Sequence, residues 1–526
     1  MPELLHPGVY VQEVPSAVRP IEGVSTSTAA FIGVTDKGPL PGTQTPLNKA
    51  AQPVLVTSFT DYIRQFGGYR ADSFLTYAVQ AFFANGGKRI YIVRVAGAGA
   101  LPSKYTGAPF DVWAATPGKW GDTITVEIGN SSDQNTTNNF KLTVKYGGVI
   151  VETFDNVTFQ TTGQPNPANY ARTVVNSRSE YIVIHTDFTA RPTVPSTLTL
   201  GGGNNGAAIA NSDYIGTKAA DNTVTGTGLY ALDKITDVNL IAIPGQGDSV
   251  TINAGMDYCK LQRPLQDCFF IADVGSLDPA SARLDGAVTD TSKVADAVTF
   301  ATAGGTPLDK SAGDYGAIYY PWVWASDPLG LGRNPRILLP PSGFMAGLYA
   351  RIDNSRGVFK APAGTEAGVA GALAAGVTIS DNEQDQLNPI DVNVIRTVPG
   401  SGIVVWGTRT IGNDASWRYI PVRRMAIFLR VSIYYGIQWA VFEPNDEPLW
   451  ASLRLNIRAF MLTQFRAGAF QGGKPDDAFF VKCDSSTTTQ TDIDNGVVNI
   501  LVGFAPLKPA EFVVLKLSQK VNQPAS

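Results

Sequence analysis

Apolar runs at 29–34 and 54–56 and a strand-like stretch at 90–95, apolar but for Arg94, enclose two stretches of helical period, 59–66 and 73–84. In the second stretch Phe74, Ala78, Ala81 and Phe82 fall on one face, the spacing of an amphipathic helix. Ser58 stands where an N-cap oxygen would take up free helix N–H groups. Gly67-Gly68 and Asn85-Gly86-Gly87 stand where helices end. This pattern predicts an α/β unit over 25–97. The period then changes. Residues 123–128 alternate strictly, and 140–145 and 149–154 flank Gly147-Gly148 as a hairpin would. A β-rich inserted domain is expected over 109–215, after a Gly/Ala/Pro-rich boundary at 97–108 and ending near a flexible loop at 201–206. Apolar runs at 239–243, 268–272 and 317–320, separated by helical stretches at 256–261 and 340–351, predict a second α/β domain over 228–390 with a partly parallel sheet.

The remainder, 391–510, begins with a strand at 403–406. Pro421 is suited to the first turn of a helix that reaches about Trp439 and is apolar on nearly every side, hence buried between layers. In a second helix, 446–465, Leu449, Trp450, Leu453, Ile457, Phe460 and Met461 share one face. Its back carries Leu455 and Leu462 beside Arg454, Arg458 and Arg466, either a contact surface for another chain or a solvated basic face. Strands follow at 479–483, 498–502 and 512–517. At the other terminus, Pro2, Pro7, Pro15 and Pro20 exclude a helix from 1–24, and Val9 and Val11 alternate with Tyr10 and Gln12. A single short strand has no stability alone, so 9–11 and 512–517 need a sheet elsewhere to join. The fold class is multidomain α/β (α+β).

Length and composition agree with several folded domains: 526 residues, 44% apolar and only 16% charged. A net charge of −4 and the absence of any basic run argue against nucleic acid. No apolar run is long enough for membrane insertion. The opening residues have neither a basic nor an apolar signal region, so synthesis in the cytoplasm is expected.

Chemistry is sparse. The two histidines, His6 and His185, lie near no nucleophile motif, and no Gly-x-Ser-x-Gly occurs. Asn85-Gly86-Gly87-Lys88-Arg89 lacks the Ser or Thr of a phosphate-binding loop and precedes a strand rather than following one. Asp381, Glu383 and Asp385, read as a loop, have Leu387 near the bend and Val392 at the closing position of a Ca²⁺ loop, so no metal is expected. The 45 acidic residues leave a two-carboxylate glycosidase open by count alone, but no pair stands out. No catalytic residue and no cofactor is expected.

The C-terminal strings are specific. They run Trp406-Gly407-Thr408-Arg409-Thr410, Trp417-Arg418-Tyr419-Ile420-Pro421-Val422-Arg423-Arg424, Phe442-Glu443-Pro444-Asn445-Asp446, Ala478-Phe479-Phe480-Val481-Lys482-Cys483-Asp484 and Gly503-Phe504-Ala505-Pro506. With Pro7-Gly8-Val9-Tyr10-Val11 near the start, the chain resembles the contractile phage tail sheath family. The resemblance implies hexameric rings stacked helically around an inner tube, contracting to drive the tube through a target envelope. It implies a conserved inner domain from both termini (25–97 and 391–510) and extended arms (1–24 and 511–526) that join a neighbour's sheet. The arm residues would be Val9, Tyr10, Val11, Phe512, Val513, Val514 and Leu515, and Arg454 and Arg458 would face the tube. Partners would be further copies, the tube protein, and baseplate and cap proteins. The stretch 16–23 would bend as rings rotate. Two other readings are a glycan-binding or glycan-cleaving module in 109–215 and a self-assembling surface-layer protein.

Overall fold

The apolar runs become neighbouring strands of one sheet. From edge to edge it runs Gly402–Val405, Val392–Val398, Gly316–Tyr320, Phe269–Asp273, Leu240–Ala242, Ala29–Val34, Ile90–Val95 and Val54–Val56. The six inner strands are parallel, and the two outermost pair antiparallel. Phe269–Asp273 and Gly316–Tyr320 are buried at every residue, as parallel strands covered on both faces must be. On one such face Gly343 and Gly347 lie one turn apart in the helix Ser342–Arg356. A Cβ there would stand 2.6 Å from Ala78 Cα and 2.4 Å from Phe82 O, so only glycine lets this helix meet Leu75–Ala84 so closely. The computed structural model describes residues 19–43, 51–133, 138–160, 167–221, 224–283, 286–303, 307–330 and 335–514. Two compact units emerge: Ser25–Arg424, and Met1–Val24 together with Met425–Ser526. Residues 25–97 and 228–390, expected in separate domains, therefore share one sheet; strand pairing at Ala29↔Leu240 joins them.

Most local signals act as read. Ser58 Oγ accepts from Asp61 N at 3.1 Å, and Gly67 closes the helix Phe59–Phe66 at φ 94°. The exception is 381–385. Ser380 and Glu383 form a reciprocal capping box, and the acidic run lies in the helix Asp381–Leu387 rather than in a loop. Carboxylates in a first turn are what the helix dipole favours.

The insert has its own core, built from residues such as Phe110, Val126, Leu142, Val144, Tyr170 and Leu198. Its main sheet orders Ser196–Thr199, Ile124–Asn130, Phe140–Tyr146 and Val149–Val157. The last two strands turn through Gly147 and Gly148 at φ 56° and 82°, the left-handed pair that a tight hairpin needs. The expected loose boundaries are instead pinned to each other. Leu101 and Asn204 exchange backbone bonds of 2.9 and 3.0 Å, and Ala207 N donates to Ala98 O at 3.0 Å. A Cβ at Gly206 would stand 2.0 Å from Gly97 O. The glycine loop at 201–206 is held too, with Gly203 N donating to Asp122 at 2.8 Å.

In the small unit the helix Ile420–Gly436 ends before Trp439, which sits in a separate turn, Gln438–Ala440. Asp446 caps the 20-residue helix Glu447–Arg466, and all six side chains expected on its inner face are buried. The strand expected at 498–502 lies at Leu501–Phe504, antiparallel to Phe479–Lys482.

Candidate assembly surfaces

The ribbon of Phe479–Lys482 and Leu501–Phe504 has no third strand among the described residues. Both outer edges thus present backbone N–H and C=O groups without ladder partners. Two strands alone are marginal in water, and an open edge is a template for another chain. Phe480 and Leu501 are exposed on it. Phe512, Val513 and Val514 form no strand within this chain and stand 75%, 88% and 78% exposed. Their expected strand is therefore not made internally. Leu515, like Val9, Tyr10 and Val11, lies outside the described residues. Phe442, which opens one of the strings that carry the resemblance, is wholly exposed on a left-handed backbone, φ 71°.

Arg454 and Arg458 project from the outer side of the long helix, but neither guanidinium is bare. Arg454 Nη2 lies 2.7 Å from Glu447 Oε1, and Nη1 donates to the Cys483 carbonyl. Arg458 Nη2 lies 2.8 Å from Asp476 Oδ1. The expected basic face is partly neutralised by carboxylates of the same chain. These pairs are solvent-exposed and each contributes less than about 1 kcal/mol, so they can exchange.

At the start of this unit, residues 19–24 are docked rather than free. Ile21 is buried against Gly436, and Val24 N donates to Ser432 Oγ at 3.1 Å. The bending stretch expected at 16–23 is held from Arg19 onward. Ile21 and Gly436 are more than 400 positions apart, so sequence spacing offered no sign of the contact.

Open parallel sheets hold ligands at the carboxyl ends of their strands, at helix N-termini. Here Asp273 occupies that place, accepting from Gly245 N at 3.0 Å, Ser342 N at 2.6 Å and Ser342 Oγ at 2.8 Å. Burial pushes its pKa up to about 6 against those three bonds. Asp248 likewise caps Ser249–Asp257 through Thr251 N at 2.9 Å. His185 stacks on Trp113 at 3.8 Å, and Lys104 covers the same ring at 3.9 Å from the strand on the other side. Cys259, Cys268 and Cys483 are free and buried, and burial raises each thiol away from the reactive thiolate. Among the described residues no cluster suits a metal ion, and no helix is long and apolar enough to cross a membrane.

Comparison with known proteins gives a consistent picture. The sequence profile of the phage tail sheath protein central domain matches residues 207–411, and that of the phage tail sheath C-terminal domain matches 412–520. The tail sheath protein of Vibrio phage KVP40 is 30% identical over 179 residues, 34% of this chain and 26% of that protein. The tail sheath protein of Burkholderia phage BcepMu is 29% identical over 181 residues, 32% of this chain and 36% of that protein. The matches therefore span between a quarter and two fifths of those relatives' length. Among solved structures, the contracted sheath complex of the extracellular contractile injection system PVC superposes with a TM-score of 0.56 at 22% identity, covering 99% of both chains. The contracted helical sheath of the anti-feeding prophage gives 0.56 at 21% identity over 98% of this chain and 100% of that one. These two likenesses extend the shared fold over nearly the whole chain.

Proposed function

Because the chain belongs to the phage tail sheath family, we propose that it is a structural subunit that polymerises as helically stacked hexameric rings around an inner tube and shortens to drive that tube through an envelope. The observation that carries this reading is a two-stranded ribbon with no third strand among the described residues, in a unit that also exposes an apolar strip at 512–514. Strand addition between copies supplies what each lacks: the strip of one chain, and 9–11 of another, extend the ribbon of a third. Each backbone bond contributes only about 1 kcal/mol, but the mesh repeats in every subunit. Shortening is then a rigid-body rearrangement of subunits in which the pairing persists. The extended polymer is the metastable state, held by contacts to the tube, so the role is mechanical and consumes no nucleotide. Baseplate and cap proteins close the two ends, and assembly takes place in the cytoplasm.

Arg454 and Arg458 are the proposed tube contacts. Carboxylates on the tube would exchange with Glu447 and Asp476 in pairs weak enough to break during the stroke. Electron microscopy of the full-length protein with its tube tests the whole reading: sixfold hollow sheaths are expected, and persistent monomers with tube present refute it. Arg454→Glu with Arg458→Glu should weaken sheath–tube co-assembly at least tenfold at low salt. Unchanged co-assembly moves the tube contact elsewhere.

A further inference from the structure

The segment 19–24 lies along one face of the helix ending at Gly436, and its contacts are spaced by whole turns. Gly23 meets Phe428, where a Cβ would stand 2.9 Å from the ring. Val24 N bonds Ser432 Oγ at 3.1 Å. Ile21 packs on Gly436, where a Cβ would stand 2.6 Å from its side chain. Arg19 lies over the Trp439 ring at 4.5 Å, and its N–H donates to Asn456 Oδ1 at 3.1 Å. Positions 428, 432 and 436 are one turn apart and share a face. From Gly23 at Phe428 through Ile21 at Gly436 to Arg19 at Trp439 the segment runs antiparallel to the helix, with a glycine in the helix where Ile21 enters and a glycine in the strap where Phe428 enters. Asn456 is buried, and its amide nitrogen has no hydrogen-bond partner among the described residues, so the end of the strap offers a donor to a passing backbone.

We propose that residues 19–24 form a strap that stays seated on this helix throughout shortening and carries the pull of the N-terminal arm into the small unit, so that the arm bends outside 19–24. This rests on the sheath reading above. It assigns a role to Ile21, Gly23, Gly436 and Asn456 and reverses the expectation that 16–23 flexes as one piece.

A disulfide lock separates the two possibilities. The Cβ of Ile21 and a Cβ built at Gly436 are 3.0 Å apart, close to the ~3.5–4.5 Å of a disulfide. Ile21→Cys with Gly436→Cys, assembled on tube and imaged before and after urea-triggered shortening, is compared oxidised and reduced. Equal shortening in both forms is the expected result. Reduced sheaths that shorten while oxidised ones stay extended would overturn the proposal, because the strap would then have to peel. Gly436→Val provides the converse, since it unseats Ile21. It should lose polymerisation at least tenfold and expose the Val24 amide to hydrogen exchange, with the large unit's unfolding transition unchanged. A Gly436→Val protein that polymerises and shortens normally would refute the strap. Wild type that forms no sheath on tube refutes the sheath reading itself, a different result.

Discussion

The edges of the two β structures are treated differently. In the large unit the outermost strand Gly402–Val405 is covered. Gly364 N and Val369 N donate to Val405 O and Ile403 O at 2.9 Å each, and Val405 N donates to Ala367 O at 3.1 Å. The opposite edge, Val54–Val56, is only three residues long, too short to recruit a partner. In the small unit the ribbon at 479–482 and 501–504 has no third strand on either side among the described residues, and the apolar strip at 512–514 is exposed. Covering an edge removes a route to association, and leaving one open keeps that route. The large unit is complete as one chain. The small unit leaves such a route open, as the proposed strand addition requires.

Ending the chain at Ala510 tests this contrast most severely. Polymerisation on tube, followed by sedimentation, should be abolished, whereas the large unit's unfolding free energy should change by less than about 0.5 kcal/mol. The next largest effect should come from within the large unit. Arg424 is buried against Asp353, with Nη2–Oδ2 at 2.5 Å and Nη1–Oδ1 at 2.9 Å, and Nη2 also bonds Thr26 O at 2.8 Å. Arg424→Leu strands that carboxylate and should cost about 3–5 kcal/mol in urea unfolding.

Asp273 should contribute about 3 kcal/mol across a pH interval. Its folded pKa of about 6 lies above the ordinary 3.8, so the folded state holds the extra proton between these values. Its contribution is therefore full below pH 3.8 and is lost as pH rises through 6. The stability difference between wild type and Asp273→Asn should fall over that window and be flat above it.

Lys37 should show a smaller effect, of opposite slope. Its ammonium is enclosed by Tyr181, Tyr146 and Trp120 at 4.0, 5.7 and 5.8 Å, and burial lowers its pKa to about 8 from 10.5. Between those values the unfolded chain binds the extra proton, so stability from this group rises with pH. Lys37→Met should stabilise the protein by about 1–3 kcal/mol at pH 7, an advantage that shrinks toward pH 10.5. No shrinkage would mean that the rings compensate the buried charge.

What could be read in the sequence follows the range of the interactions. Buried parallel strands announce themselves as unbroken apolar runs, and Phe269–Asp273 and Gly316–Tyr320 were found that way. The inner face of Glu447–Arg466 followed from period alone. Sheet order did not: nothing local tells Ala29 that its partners are Leu240 and Ile90, so one sheet was divided between two expected domains. At 381–385 the error was local, because Ser380 and Glu383 already carried the spacing of a capping box. The partners of Arg454 and Arg458 come from a different turn and a different element, and the seat of Ile21 from the far end of the chain. The strip at 512–514 reads as β from its composition, yet it has no strand partner among the described residues.

The paired neck at 97–101 and 204–207 has a consequence for how such a chain can evolve. The insert leaves and re-enters the sheet at one point, with Ala98 O and Ala207 N only 3.0 Å apart. A gene segment encoding roughly the span between them can be lengthened, exchanged for an unrelated module or removed, and the strands on either side keep their order and spacing. The insert is thus free to diversify by recombination while the strand order on either side of the neck is kept.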